Sequence, residues 1–228
     1  MENISKNIEN VKENIKKTGS SGNVELVVVT KTFPPQFVSE AIKCGIKHIG
    51  ESRIQEALPK FKQLDGELNG IKKHFIGHLQ TNKVKKAVEN FDLIHSLDSL
   101  DLAKTINKYA ASIQKIQECL IEIKVSNESS KTGVSPQTID EFYAQTLEFP
   151  NILIRGLMII PPALDNVEES RIYFRQGYDI FYRKCGQNKN FNILSMGMSG
   201  DYKIAIQEGS NMVRIGSAIF GRRDYGNR

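Results

Sequence analysis

The sequence predicts an α/β fold, a single (β/α)8 TIM-like barrel. Three observations point there. VELVVVT at 24–30 is an unbroken apolar run rich in β-branched residues, the pattern of a strand buried on both faces in a parallel sheet. Further short apolar runs follow, with amphipathic segments between them, and such β-α alternation implies parallel strands joined by right-handed crossovers. No G-x-G-x-x-G follows the first strand, which disfavours the alternative, a doubly wound open sheet. The 228 residues are fewer than the ~250 usual for such barrels. No linker or shift in composition divides 1–228, so a single domain is expected.

Ile4, Ile8, Val11 and Ile15 recur at helical spacing and mark an amphipathic helix over 1–18, expected to cover the barrel or to meet a partner. After the first strand, Pro34 and Pro35 precede Phe37, Val38, Ala41 and Ile42 at helical spacing, and Gly45 stops that helix. Strands are read at 46–50, 73–77, 92–97, 119–125, 153–159, 191–196 and 211–216. Helical stripes lie between several of them: Ile54, Ala57, Leu58, Phe61 and Leu64; Leu102, Ala103, Ile106, Tyr109, Ala110 and Ile113; Ile139, Phe142, Tyr143 and Leu147; Val167, Phe174, Tyr178, Phe181 and Cys185. A last helix is expected from Ser199 to Gly209.

Composition narrows the function classes. Hydrophobic residues are 39% and charged residues 25%, ordinary for a globular protein. Cys44, Cys119 and Cys185 are odd in number and far apart, with no disulfide pattern, which suits a reducing compartment. The start has no apolar core of a signal peptide, and no run approaches the ~18 apolar residues of a membrane span. A cytoplasmic location is therefore expected. The net charge of +5 favours anionic ligands, but the lysines are dispersed. The densest group, Lys83, Lys85 and Lys86, reads as a solvated helix face, and no nucleic-acid-binding signature accompanies it.

Barrels place ligands at the carboxyl ends of their strands. Lys31 stands there, in phase with Val27 and Val29. Burial at a strand end disfavours the charged form of a lysine, and a neutral amine is what imine formation requires. The bland alternative is a lysine that is simply the first solvated residue after a strand. Strand seven runs into Met196-Gly197-Met198-Ser199-Gly200-Asp201, and strand eight into Arg214-Ile215-Gly216-Ser217. These are the loops with which barrels often gather a phosphate, although glycines here also suit mere tight turns. Arg214 is out of phase with Val213 and Ile215 and is aimed at the same end; a structural salt bridge is its other reading. His74 and His78 are spaced like a zinc pair, but four residues along a strand separates them by ~13 Å. One is expected in the core and His78 at the site, with no metal. No GxSxG, P-loop or H-E-x-x-H is present.

Six blocks carry a resemblance: VVVTKTFP at 27–34, HIGESRIQE at 48–56, HFIGHLQTNK at 74–83, RGLMIIPP at 155–162, LSMGMSGD at 194–201 and VRIGSAIFG at 213–221. Together they resemble the pyridoxal phosphate homeostasis proteins, whose barrel is similar to the N-terminal domain of alanine racemase. The resemblance implies pyridoxal 5'-phosphate (PLP) as cofactor, a Schiff base on Lys31, and a phosphate held by Ser199, Gly200, Gly216 and Ser217. It sets Arg214 against the pyridine nitrogen, with Ser52, His78 and Met196 also at the cofactor. Ser52 replaces the family's usual asparagine, and Lys124 and Asn127 replace an asparagine and a glycine, while Lys131 and Gly133 match.

The same resemblance implies a PLP carrier in vitamin B6 homeostasis more than an enzyme. Related barrel enzymes complete their sites with a second, β-rich domain, for which the twelve residues after Gly216 leave no room. A guanidinium at the ring nitrogen leaves the ring a weak electron sink. A weak amino-acid racemase or decarboxylase is the alternative. Expected partners are PLP and recipient apo-enzymes, with neither nucleic acid nor membrane, and a monomer or a dimer.

Overall fold

The computed structural model describes residues 2–18, 22–126, 132–186 and 188–221. Asn127 and Lys131, two of the positions compared with the family pattern, lie outside them. The strands are β1 (Glu25–Val29), β2 (His48–Glu51), β3 (Lys72–Phe75), β4 (Leu93–Leu97), β5 (Gln117–Ile123), β6 (Ile152–Ile159), β7 (Ile193–Met196) and β8 (Met212–Ile215). They pair in parallel in sequence order, and β8 pairs back to β1, with Glu25 opposite Met212. Closure leaves no free edge, so every strand has two hydrogen-bonded neighbours.

Helix α1 (Glu2–Lys17) precedes the barrel. Then come α2 (Pro35–Lys43), α3 (Ile54–Gln63), α4 (Val84–Asn90), α5 (Leu100–Ser112), α6 (Ile139–Thr146), α7 (Ser170–Cys185), α8 (Tyr202–Gln207) and α9 (Ser217–Phe220). The isoleucine stripe of α1 does what its spacing suggests. Ile4, Ile8, Val11 and Ile15 are buried with Val38 and Ala41 of α2, Val213 and Ile215 of β8, and Ile219 of α9. Asn7 Nδ2 donates to the Ile219 carbonyl at 2.8 Å, and Lys12 Nζ to the Cys44 carbonyl at 3.0 Å. Lys85 and Lys86 are exposed on α4 while Val84, Ala87 and Val88 are buried, a solvated face over an apolar one.

Strand periodicity sorts the side chains. Val28, Ile49, Ile94, Leu157, Leu194, Val213 and Ile215 point out into the layer shared with the helices. Val27, Leu93, Leu120, Met158 and Met212 point in and form an apolar plug across the barrel. The sheet departs from regular register at β6, where Cys119 pairs with Ile154 but Leu120 with Gly156. Arg155 is the extra residue, and the bulge re-aims it toward Glu118, 3.3 Å away.

Gly156 makes that bulge possible. Its φ is +147°, and a Cβ there would sit 1.8 Å from the Ile193 carbonyl oxygen on β7. Gly156→Ala is expected to destabilise the fold by about 2–4 kcal/mol, measured as a lower urea midpoint. An unchanged midpoint would mean that β6 and β7 yield without cost.

Candidate functional site

The carboxyl ends of the strands form one mouth of the barrel, and Lys31 stands on it. Val27 belongs to the interior plug and Val29 is buried. Lys31, in phase with both, follows β1 at the mouth and is half-buried. The next residue is strained. Thr32 has φ +69°, unusual for a β-branched side chain and costing of order 1–3 kcal/mol. It is held by the Glu56 carboxylate, which accepts from the Thr32 N–H, and by the Phe33 N–H donating to the Thr30 carbonyl at 3.2 Å.

Glu51, fully buried at the end of β2, accepts on Oε1 from Thr30 Oγ1 at 2.7 Å and from Lys60 Nζ at 2.6 Å. Lys60 Nζ also donates to the Thr30 carbonyl at 2.7 Å and to Glu56 at 3.2 Å. This knot of Thr30, Glu51, Glu56 and Lys60 fixes the backbone on both sides of Lys31. Burial raises the Glu51 pKa against the opposing pull of the Lys60 ammonium. Its other oxygen, Oε2, is buried without a hydrogen-bond partner. An orphaned buried acceptor on the carboxylate that holds Thr30 calls for an explanation beyond packing.

The neighbouring strand ends supply backbone donors. The N–H groups of Gly216 and Ala218 both donate to Ser199 Oγ, at 3.3 and 3.2 Å. Two backbone donors and a hydroxyl thus converge where β7 and β8 end. A Cβ at Gly200 would meet nothing within 4 Å, so the backbone there is approachable, and Ser217 is exposed at the start of α9. The helix expected from Ser199 begins only at Tyr202. Residues 199–201 are a turn, with the Asp201 carboxylate accepting from the Met198 N–H at 2.6 Å. The converging donors come from the start of α9 instead, a four-residue helix absent from the sequence reading.

Arg214 points into the barrel, opposite Val213 and Ile215. Its Nη1 donates to the Ser195 carbonyl at 2.8 Å and to Ser195 Oγ at 2.7 Å, and its Nη2 to the Ile159 carbonyl at 3.0 Å. Burial lowers its pKa to about 10, with the Asp201 and Glu122 carboxylates pulling the other way, so it stays a cation at neutral pH. Glu122 faces it from β5, its own pKa pushed up to about 7 by burial and by Asp98.

The remaining expected residues separate. Ser52 is half-buried at the end of β2, with its backbone so close to β3 that a Cβ on Gly77 would lie 2.3 Å from the Ser52 carbonyl oxygen. His78 is exposed at the mouth, 3.5 Å from Asp98. His74 is buried inside the barrel, and among the described residues no group of three His, Cys, Asp or Glu side chains is placed to hold a metal ion. Met196 does not line the mouth. It is fully buried with Leu194, Phe174 and Ala205 between barrel and helices, because alternation on β7 sends Ser195 inward and Met196 outward. Sequence reasoning missed Glu51, Lys60, Ser195 and Ala218. Lys60 carried a legible signal: it falls on the apolar stripe of α3, three residues after Ala57.

These residues suit PLP on their own chemistry. There is an amine at Lys31, a convergence of N–H donors with open backbone beside it, a buried permanent cation, and an orphaned carboxylate oxygen.

Comparison with known proteins agrees in kind. The family model for the alanine racemase N-terminal domain matches residues 1–224. The pyridoxal phosphate homeostasis protein of Aquifex aeolicus is 41% identical, over 98% of either chain. That of Escherichia coli K12 is 35% identical over the whole of both. Among solved structures, PipY of Synechococcus elongatus with PLP bound superposes with a TM-score of 0.85 at 31% identity, covering 96% of this chain and 100% of that one. An alanine racemase of Clostridium difficile 630 shares the fold, with a TM-score of 0.72 at 17% identity over 57% of its chain. Among the described residues, no helix is long and apolar enough to cross a membrane.

The half-buried Glu122 carboxyl makes stability depend on pH. The folded chain binds its proton more tightly than the unfolded one does. Its stabilising contribution is therefore full below the ordinary value of 4.5 and is lost as pH rises to about 7. Glu122→Gln is expected to flatten stability across that window and to exceed the parent at pH 8 by up to about 3 kcal/mol. Urea denaturation from pH 4 to pH 8 checks this, and parallel curves for the two proteins would refute it.

Proposed function

Because the chain belongs to the pyridoxal phosphate homeostasis protein family, we propose that it binds PLP at the carboxyl mouth of its barrel, as a Schiff base on Lys31, and serves vitamin B6 homeostasis as a carrier. The observation that carries the reading is the juxtaposition of adjacent strand ends. Lys31 follows β1, and the paired strand β8 leads into the donors that meet at Ser199. PLP supplies an aldehyde for the lysine and an electron-withdrawing ring.

In this reading Lys31 supplies the amine, and the knot of Glu51, Lys60 and Thr30 sets its backbone. Ser199, Gly200, Gly216 and Ser217 hold the phosphate, joined by the Ala218 N–H. Ser52 and His78 stand at the rim. Met196 contributes packing beneath the turn. Arg214 faces the ring nitrogen as a donor and, being protonated at neutral pH, offers no site for the ring's proton. Withholding that proton weakens the ring as an electron sink, which favours storage over turnover. The whole of 1–228 acts as one PLP-binding unit, a cytoplasmic monomer that passes the cofactor to apo-enzymes and engages neither nucleic acid nor membrane.

The match to the alanine racemase domain favours one other reading, a weak racemase or decarboxylase. Three experiments decide. The protein mixed with PLP should turn yellow, and borohydride should fix the cofactor on the Lys31 peptide, seen by mass spectrometry; a preparation that takes up no PLP refutes the reading. Lys31→Ala should weaken PLP binding at least tenfold without abolishing it, because the phosphate donors remain; equal affinity would show that the lysine is not the anchor. Steady racemisation or CO2 release from D- or L-amino acids, lost in Lys31→Ala, would replace the carrier with a catalyst.

A further inference from the structure

A line of hydrogen bonds runs through the barrel from one mouth to the other. At the amino mouth, His48 Nε2 lies 2.7 Å from Glu25 Oε2. His48 Nδ1 lies 2.9 Å from His74 Nε2, and His74 Nδ1 lies 2.8 Å from His95 Nε2. His95 Nδ1 lies 3.2 Å from Ser195 Oγ, which accepts from Arg214 Nη1 at 2.7 Å. Each imidazole uses both ring nitrogens in this line.

Both ends require the same polarity. Arg214 only donates, so Ser195 Oγ receives its proton and passes its own toward His95 Nδ1. His95 must then carry its proton on Nε2 and donate to His74 Nδ1. By the same rule His74 donates from Nε2 to His48 Nδ1, and His48 from Nε2 to Glu25. At the far end the Glu25 carboxyl, held below its usual range chiefly by its bond to His48, is an acceptor and demands that same His48 tautomer. Burial keeps His74 and His95 neutral, with His74 lowered to about 3, so each has one proton to place. The reverse polarity would set an unprotonated His48 Nε2 against a carboxylate and leave the Ser195 hydroxyl with two incoming donors.

We propose that Glu25, His48, His74 and His95 are positioning residues for Arg214: one tautomer-ordered line, anchored at the amino mouth, orients the guanidinium that serves the carboxyl mouth. What this does to PLP rests on the reading above; the tautomer order belongs to the chain itself. Several charged groups lie around the amino-mouth end of this line. Glu25, Lys72, Glu118 and Arg155 share with His48 and His74 a cavity of about 220 Å³ at the amino mouth. Lys12 and Lys16 of α1, with Lys47, line the adjoining groove.

The test begins with ligand-free protein, so that failure to bind PLP does not confound it. Imidazole 15N NMR at pH 8 should show His48, His74 and His95 all protonated on Nε2; Nδ1–H on any of them overturns the line. Glu25→Gln, at a half-exposed position, offers a side chain able either to donate or to accept. It should mix the tautomers at His48 and shift the His95 and Arg214 Nη–H resonances on the far side of the plug. Unmoved His95 and Arg214 signals overturn the coupling. In PLP-loaded protein, Glu25→Gln should raise the PLP dissociation constant roughly 2- to 30-fold and move the pH midpoint of the visible absorbance. Loss of the NMR effect refutes this inference alone, whereas absence of PLP uptake with the NMR effect intact refutes only the earlier reading.

Discussion

Placing a guanidinium inside a parallel barrel is the constraint around which the interior is organised. An ion stripped of water costs several kcal/mol unless its donors are met, and Arg214 is only 4% exposed. Its neighbours supply acceptors in place of water. The Ile159 carbonyl comes from β6, and the Ser195 carbonyl and hydroxyl come from β7. The compensating carboxylates, Asp201 and Glu122, act across space as charges. Ser195 is thereby committed to Arg214, the histidine line to Ser195, and the apolar plug of Val27, Leu93, Leu120, Met158 and Met212 fills what remains.

A second ionic knot, on the other side of the mouth, follows different rules. Lys60 and Glu51 are both buried and in contact, and Lys60 also satisfies the Thr30 carbonyl. Removing either partner would strand a charge, so the pair specifies one arrangement of the chain around Lys31 rather than adding much net stability. The strained Thr32 is tolerated because Glu56, itself tied to Lys60, holds its N–H. Lysine and guanidinium are thus presented from separately braced elements, one on β1 and one on β8, that meet through strand pairing.

Much of this was legible in the residues. The eight apolar runs lie within a few positions of the strands because burial on both faces leaves an unmistakable signature, and the α1 stripe was equally clear. The loop glycines and Lys31 stood out because barrel topology says where to look. What escaped had short or distant causes. The four residues of α9 show too little periodicity to register, so the Ala218 N–H went unnoticed beside Gly216 and Ser217. The family resemblance set Met196 at the cofactor, although strand alternation from Leu194 already sent it outward. The histidine line joins residues as far apart as His95 and Ser195, contacts that only closure of the sheet creates.

The pairing of β1 with β8 carries a consequence for how the molecule comes into being. Glu25 meets Met212, and Asn7 meets Ile219, across nearly the whole length of the chain. Contacts of such long sequence separation form late, after the loop between them has been closed against its entropy. During synthesis the lysine therefore emerges long before the donors of α9, and a partly made chain presents an amine without those donors beside it. The two halves of the candidate site come together only when the last strand docks on the first, so the ability to sequester a ligand becomes a report that folding has finished.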